Sequence, residues 1–586
     1  MQRTPLIGFI GLLFLSACTS NDSTMNWTRG AVFYQIFPER FYNANPNNDP
    51  SPDKSTPVAK AHRWTSNWYA LSETEQQHSP DFWQNIYRRR YGGDLDGILK
   101  KLDYLQSLGI TAIYLNPIFE APSSHKYDAT MLHHVDVNFG NNPEQDLKLI
   151  AEEDFNDPNT WKWTSADLLF LKLIEEAHRR NIRIVIDGVF NHVGTKFPPF
   201  EDVVKQQQRS RYKDWFEILS FEDSTAGTKF DYKGWWGHKS LPELKRDSLK
   251  GLADAPKQYI FTITKRWTAP NGDPSKGVDG WRLDAADDLP HTFWKEWRTF
   301  VKSINPNTFL VGEIWKNAKD WMQGDEFDAV MNYQFAVFTH QLFVQNVLKP
   351  SAFKLKIEEL LASYPDSANY MLLNLYDSHD TERLPSRLVN PNRHFDHYAG
   401  LRANKDYQLR PPNEKEYQLQ KLLMLFQFTY IGSPMLYYGT EAGMWGADDP
   451  DCRKPMVWKE FQYDDENAEL ITGKSEPFKV AFNEQVYRDY KTLIDLYHRH
   501  PALKYGKFNF LVADDEKNVI AFERTDKSER VITIINISDN EATIELDSSN
   551  HLIDLLTNKT IEARNNKVTL QLAPKHGMLL QEVRKH

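Results

Sequence analysis

Eight short runs rich in β-branched and aromatic residues recur along the chain: AVFYQIF (31–37), TAIYLNP (111–117), IRIVIDGVF (182–190), GVDGWRLD (277–284), TFLVGEIW (308–315), FDAVMNY (327–333), YMLLNLYD (370–377) and PMLYYG (434–439). Most are separated by segments whose apolar residues return every three or four positions. This is clearest in LDGILKKLDYLQSLG (95–109) and ADLLFLKLIEEAHRRN (166–181), and it is the repeat of an amphipathic helix. Strands alternating with helices indicate parallel βα units, and eight is the number that closes a (β/α)8, or TIM, barrel of the α/β class. An open doubly wound sheet is the alternative, but no Gly-rich phosphate loop follows any of these runs.

Two stretches interrupt the alternation. Residues 193–266, rich in Trp, Lys and Asp, are too long for a loop without structure of its own and predict an inserted domain after the third strand. A second insertion, about 141–165, precedes the helix after strand two. Beyond about residue 505 the pattern becomes short strands such as RVITIINIS and KVTLQLA, predicting a C-terminal all-β sandwich over 505–586. The barrel is then expected over 31–192 and 267–504.

The first residues read differently. MQRTPLIGFIGLLFLSAC carries Arg3 and then an apolar run, Leu6 to Leu15, too short for a mature transmembrane helix and suited to a secretory signal. Its end, LSAC, resembles the bacterial lipoprotein signal. Residues 1–17 are expected to be removed, Cys18 to be lipidated, and 18–30 to form a linker. Thr19 is not the aspartate associated with inner-membrane retention, which points to the outer membrane of a Gram-negative cell envelope. The other cysteine is Cys452, so with Cys18 lipidated no intrachain disulfide remains.

Composition narrows the function. The 586 residues carry a net charge of −10, which argues against nucleic acid as a partner, and leaves the lipid anchor as the expected membrane contact. The 17 Trp, 26 Tyr and 34 Phe suit either core packing or platforms for sugar rings, and Trp235 and Trp236 of YKGWWGHK stay open between the two.

Catalytic groups of a βα barrel sit at the C-terminal ends of its strands. Strand three ends in Asp187, Asn191 and His192, strand four in Arg282 and Asp284, strand five in Glu313, and strand seven in His379 and Asp380. On a strand, residues i and i+2 share a face, so Arg282 and Asp284 project together. Convergent carboxylates are the equipment of glycoside hydrolysis. Arg282 is expected to hold Asp284 ionised as a nucleophile, and Glu313, followed by Ile314 and Trp315, to have a raised pKa and act as the acid.

DGVFNH, GWRLDA, GEIW and SHD, with LPEL at 241–244, resemble in order the motifs of the α-amylase superfamily (glycoside hydrolase family 13). NPIFEAPSSHKYD, SHDTERL and DDPDCRKPM are similar to its neopullulanase, cyclomaltodextrinase and maltogenic amylase group. The resemblance implies a retaining hydrolase of α-1,4-linked maltodextrins, cyclodextrins or starch, without an organic cofactor. It implies Asp284 as nucleophile, Glu313 as general acid/base, and Asp380 as the acid that holds the 2- and 3-hydroxyls of the distorted sugar. His125, Tyr127, Asp187, His192, Arg282, His379, Arg383, Asp449 and Arg453 complete its substrate-binding set. It also implies a structural Ca2+ on Asn43, Asn45, Asn48, Asp49, the Gly92 carbonyl and Asp94, oxygen ligands that suit a hard cation. Asn45 stands where the group usually has aspartate, one negative charge fewer.

The chain departs from the group in other ways. AVFYQIF begins thirteen residues after Cys18, which leaves no room there for the group's preceding β domain. A monomer with a site open to longer chains is expected. Ala285 follows the nucleophile where α-1,6-specific relatives tend to have valine, and Asp287-Asp288 replaces the family's Asn-Glu. Two other readings stand beside hydrolysis: a glucanotransferase using the same intermediate, and a non-catalytic surface glucan-binding lipoprotein.

Overall fold

The computed structural model describes residues 27–50 and 61–583; Cys18 and the signal segment lie outside them. The eight runs form eight strands: β1 Phe33–Ile36, β2 Ala112–Leu115, β3 Arg183–Gly188, β4 Gly280–Leu283, β5 Phe309–Gly312, β6 Ala329–Val330, β7 Leu373–Asn374 and β8 Ser433–Tyr437. They pair in parallel in the order β6-β5-β4-β3-β2-β1-β8-β7. A parallel bridge between Met331 and Leu373 closes the ring. This is the TIM barrel.

Period-two alternation divides the strand residues into two cores. Phe33, Ala112, Tyr114, Val185, Phe309, Val311, Ala329, Met331, Leu373 and Met435 pack together inside the barrel. Tyr34, Ile113, Leu115, Ile184, Ile186, Trp281, Leu283, Leu310 and Leu436 face outward into the helical layer. The inward parity continues past the strand ends and carries the polar residues into the mouth.

The helices begin where short polar side chains satisfy first-turn N–H groups. Asp94 accepts from Gly97 N at the start of helix Leu95–Leu108, which stops at Gly109 with φ +98°. Thr164 and Asp167 form a capping box on helix Ser165–Arg179. Helix Pro143–Ile150 lies in the second insertion. No helix among the described residues is long and apolar enough to cross a membrane.

The insertion after β3 contains helix Pro198–Gln206 and two short antiparallel pairs, Ile218–Ser220 with Asp231–Tyr232 and Arg246–Asp247 with Gly251–Leu252. Its C-terminal boundary differs from the expected one. Residues up to 266 include most of helix Asp254–Thr268, which packs against helix His291–Ile304 of the barrel layer through Phe261 on Phe293 and Phe300.

The C-terminal unit is a sandwich. Strands β9 Lys507–Asp514, β10 Val519–Thr525, β11 Arg530–Asn536, β12 Ala542–Asp547, β13 Leu552–Asp554, β14 Thr560–Ile561, β15 Lys567–Leu572 and β16 His576–Glu582 form one six-stranded sheet and the β12-β15 pair. Val519, Ala521, Ile532 and Ile534 pack there with Ile544, Leu546, Val568 and Leu570. Buried Arg524 ties the unit to the barrel by donating to the carbonyls of Thr429 and Tyr430.

Candidate active site

Asp284 and Glu313 are the first residues past the last paired positions of β4 and β5, Leu283 and Gly312. Asp284 N donates to Gly188 O and Glu313 N to Leu283 O, so the backbones stay in register to the mouth. Arg282, two residues before Asp284, points inward and lies fully buried over Tyr114, with Nε against the Met331 sulfur at 3.5 Å.

The Arg282 guanidinium gathers three carboxylates. Nη1 donates to Asp284 Oδ1 at 2.7 Å and to Asp187 Oδ1 at 3.0 Å, and Nη2 lies 2.9 Å from Glu313 Oε2. Glu313 Oε2 also accepts from Ala285 N at 2.9 Å, and Oε1 from Trp315 Nε1 at 3.2 Å. The backbone just past Asp284 turns left-handed, with φ +44° at Ala285, a residue that has a Cβ, a local cost of about 1–2 kcal/mol. Asp284 is 8% exposed and Glu313 10%, and Asp284 Oδ2 has no partner within the protein.

Three buried carboxylates around one cation cannot all ionise cheaply. Burial pushes the Asp284 carboxyl well up, Arg282 opposes this, and the charges of Glu313 and Asp187 add to it. Arg282 favours the Asp284 anion, but the same guanidinium also serves Asp187 and Glu313 and offsets the burial penalty only in part.

Asp187 is also corrected. Its carboxylate has no exposed surface; it accepts from Arg282, from Tyr114 OH at 2.6 Å and from Tyr127 OH at 3.0 Å. It orients Arg282 and Tyr127 and offers no face to a ligand.

The opposite wall comes from β7 and the segment after β8. Arg453 donates to Asp380 Oδ1 at 3.1 Å and to the His379 carbonyl at 2.7 Å, and pairs with Asp449 at 2.9 Å. Asp380 is 30% exposed at the mouth, and burial, opposed by Arg453 and reinforced by Glu313, pushes it up to about 7. His379 Nδ1 accepts from Gln35 Nε2 at 2.9 Å, which leaves the Nε2 proton facing Tyr127 OH and Asp380 Oδ2. Burial depresses the pKa of His379 strongly and takes His192 down to about 4, so both are neutral donor–acceptor rings at pH 7. His192 Nε2 donates to the Tyr127 carbonyl at 3.1 Å, and its Nδ1 has no protein partner. Tyr127 stacks between His125 and His379, at 5.9 and 5.4 Å between ring centroids.

Asp284, Glu313, Asp380, Arg282, His192, His379, Tyr127, His125, Asp449 and Arg453 thus come together. Arg383 does not join them. Its fully buried guanidinium donates to the carbonyls of Cys452 and Tyr438 and lies over the Tyr437 and Tyr438 rings. Arg383 is the N-cap of helix Leu384–Val389, and its side chain is spent on these carbonyls and rings. Sequence reasoning missed Gln35, Tyr114 and Asn116, which set His379, Asp187 and Tyr127. The signal was there: Gln35 is a polar residue inside an apolar run, and Tyr114 and Asn116 stand at i and i+2.

A second polar nest lies beside Gly92. Asn43 Nδ2 donates to Asp49 Oδ1 at 2.7 Å, while Asn43 Oδ1 and Asn48 Oδ1 are buried without a partner. Burial pushes Asp49 up to about 6. Gly92 has φ +75°, and a Cβ there would meet Asp49 Oδ1 at 2.0 Å. Asp94 accepts from Gly97, Ala44 and Asn45 N–H groups. Asn45 differs from expectation: its side chain caps the turn Pro46–Asn48 by accepting from Asn47 N. Two orphan amide oxygens, two carboxylates and a close-approach glycine fit a hard cation.

A model of the alpha amylase catalytic domain matches residues 35–154 and 164–506. The chain belongs to the alpha-amylase family. A model of the maltogenic amylase C-terminal domain matches residues 508–579. The chain is 34% identical to neopullulanase 2 of Thermoactinomyces vulgaris over 563 residues, 95% of this chain and 78% of that protein. It is 35% identical over 561 residues, with the same shares, to a cyclomaltodextrinase of Geobacillus thermopakistaniensis. Among solved structures, the type III pullulan hydrolase from Thermococcus kodakarensis matches with a TM-score of 0.71 at 27% identity, covering 95% of this chain and 83% of that one. A cyclomaltodextrinase matches at 0.70 and 30%, covering 95% and 78%. This member of the alpha-amylase family is an α-glucan hydrolase.

Proposed function

We propose that the protein cleaves α-1,4-glucosidic bonds of maltodextrins, cyclodextrins or starch with retention of anomeric configuration. The observation that carries this reading is the single Arg282 guanidinium in contact with both Asp284 and Glu313 on adjacent strands. Adjacent strands lie roughly 4.8 Å apart. That suits the ~5–5.5 Å carboxyl separation of retaining enzymes and leaves little room for the water of inverting ones, at ~6.5–9.5 Å.

In this reading Glu313 protonates the leaving oxygen and Asp284 Oδ2, free of protein partners, attacks the anomeric carbon. The positive charge that develops on the sugar favours the Asp284 anion, adding to Arg282 against the burial penalty. Glu313 then takes a proton from the incoming water. Asp380 and neutral His379 and His192 bind hydroxyls of the same sugar, and Tyr127 lies beneath its ring. Arg453 and Asp449 contact the next sugar.

Asn43, Asn48, Asp49, Asp94 and the Gly92 carbonyl would hold a Ca2+ ion, whose charge would balance the two carboxylates. Anchoring in the outer membrane through lipidated Cys18 is part of the same proposal.

The test is Asp284→Asn assayed on maltooligosaccharides, cyclodextrins, pullulan and starch. The near-isosteric amide should leave the fold intact and nearly abolish turnover on every substrate the wild type cleaves. A variant that keeps most of its kcat would overturn the assignment.

A further inference from the structure

The insertion after β3 ends one of its loops in Trp235-Trp236-Gly237, and the two tryptophans have opposite environments. Trp235 is fixed. Its indole stacks on His192 at 4.8 Å between centroids and 17° between planes, and Nε1 donates to Asp288 Oδ2 at 2.6 Å. Its backbone N donates to Leu241 O, and Gly234 bridges Pro242. Trp236 is instead 79% exposed, with φ +48° and ψ 28°. A side chain with a Cβ in the left-handed region costs about 1–2 kcal/mol, and backbone strain of this kind clusters at ligand sites. A single exposed apolar residue is ordinary. An exposed indole held out by a strained backbone, next to a partner bolted to the active site, is not.

The contacts also say which end of the substrate Trp236 would meet. Glu313 gives its proton to the leaving chain, so that chain departs on the Glu313 side. Lys316, three residues past Glu313, pairs with Asp287 at 2.9 Å, and the adjacent Asp288 receives the Trp235 indole. Asp287 and Asp288 follow Asp284 by three and four residues. The path from the acid along this rim therefore runs through Asp287-Asp288 to Trp235, whose ring centroid lies 5.6 Å from that of Trp236.

We propose that Trp236 is a stacking platform for a glucosyl unit of the leaving α-glucan chain beyond the second sugar past the cleaved bond, with Trp235 as its positioning residue. The occupant is a pyranose whose C–H face lies on the indole, an apolar contact that leaves the hydroxyls in water. This rests on the α-glucan hydrolase reading and adds to it a preference for longer chains, set from the insertion rather than from the barrel.

The experiment compares Trp236→Ala and Trp236→Phe with wild type on maltotriose and maltoheptaose, with Tm measured for each. Maltotriose spans the cleaved bond but is too short to reach the platform. Trp236→Ala should raise KM for maltoheptaose about tenfold with kcat within twofold, the loss expected when an aromatic contact area is removed. It should leave kcat/KM for maltotriose within twofold, and Trp236→Phe should recover most of the maltoheptaose KM. If wild type cleaves both substrates and Trp236→Ala changes both alike, or neither, the platform is refuted while the hydrolase reading stands. If wild type cleaves neither, the hydrolase reading itself falls.

Discussion

His134 should make the stability of this protein fall steeply between pH 6.5 and 9. Its ring is fully buried between two carboxylates, with Nδ1 2.8 Å from Asp167 Oδ2 and Nε2 2.8 Å from Glu153 Oε2. Arg266 donates to the same Asp167 at 3.1 Å, and Tyr259 meets the neighbouring His133, which burial keeps neutral. Burial alone would lower the pKa of His134; the two carboxylates overcome it and raise the ring to about 9. His133, His134 and Glu153 form the one group of three His, Cys, Asp or Glu side chains among the described residues placed closely enough to share a metal ion, but the imidazolium already balances Glu153 and Asp167 together with Arg266. A folded pKa above the unfolded value means stability that is complete below about pH 6.5 and lost as the pH passes 9. The rise from 6.5 to about 9 corresponds to about 3 kcal/mol, at about 1.4 kcal/mol for each pH unit. His134→Gln cannot carry the charge. Urea unfolding of wild type and variant should differ by about 3 kcal/mol at pH 6 and converge by pH 10. A gap that stays constant across that range would refute the ion-pair account, because lost packing does not titrate.

Arg282→Met should lower kcat/KM by about 10²–10⁴, since two charge-assisted hydrogen bonds of about 1.5–3 kcal/mol each are lost. The acidic limb of its pH–rate profile should move to higher pH, because the cation that favours the Asp284 anion is gone. Arg282→Lys restores the charge without the fork and should recover the limb more than the rate; two variants with identical profiles would contradict the shared-guanidinium geometry. EDTA should lower Tm and added Ca2+ restore it, since a ligand at a hundredfold excess over its Kd stabilises by about 2.7 kcal/mol. Gly92→Ala, whose Cβ would meet Asp49 Oδ1 at 2.0 Å, should lose that Ca2+ response. A Tm indifferent to both EDTA and Ca2+ in the wild type would count against the metal.

The barrel was legible because inward and outward faces alternate strictly. Each apolar run became a strand, and the i, i+2 rule alone brought Arg282 and Asp284 to one face. Residues that act through second partners were less legible. Asp187 has the strand-end position of a substrate ligand, and only the packing of Tyr114 and Tyr127 over it makes it a clamp. Arg383 follows a site motif, yet its side chain is spent on the Cys452 and Tyr438 carbonyls. The sharing of Arg282 was illegible for the same reason. A one-dimensional pattern shows Arg282 beside Asp284 and not the carboxylates of Asp187 and Glu313 on the same cation. The end of the insertion was misplaced because helix Asp254–Thr268 follows it without a break that composition marks.

The central claim is that Asp284 and Glu313 work as a nucleophile and an acid/base on one sugar. Proton NMR of the newly released reducing end of a maltooligosaccharide, read before mutarotation, tests it most directly. The account predicts that the α anomer accumulates first, because two displacements, one by Asp284 and one by water, return the starting configuration. Initial accumulation of the β anomer would mean a single displacement by water, and would contradict both the covalent role of Asp284 and the close pairing through Arg282 on which it rests.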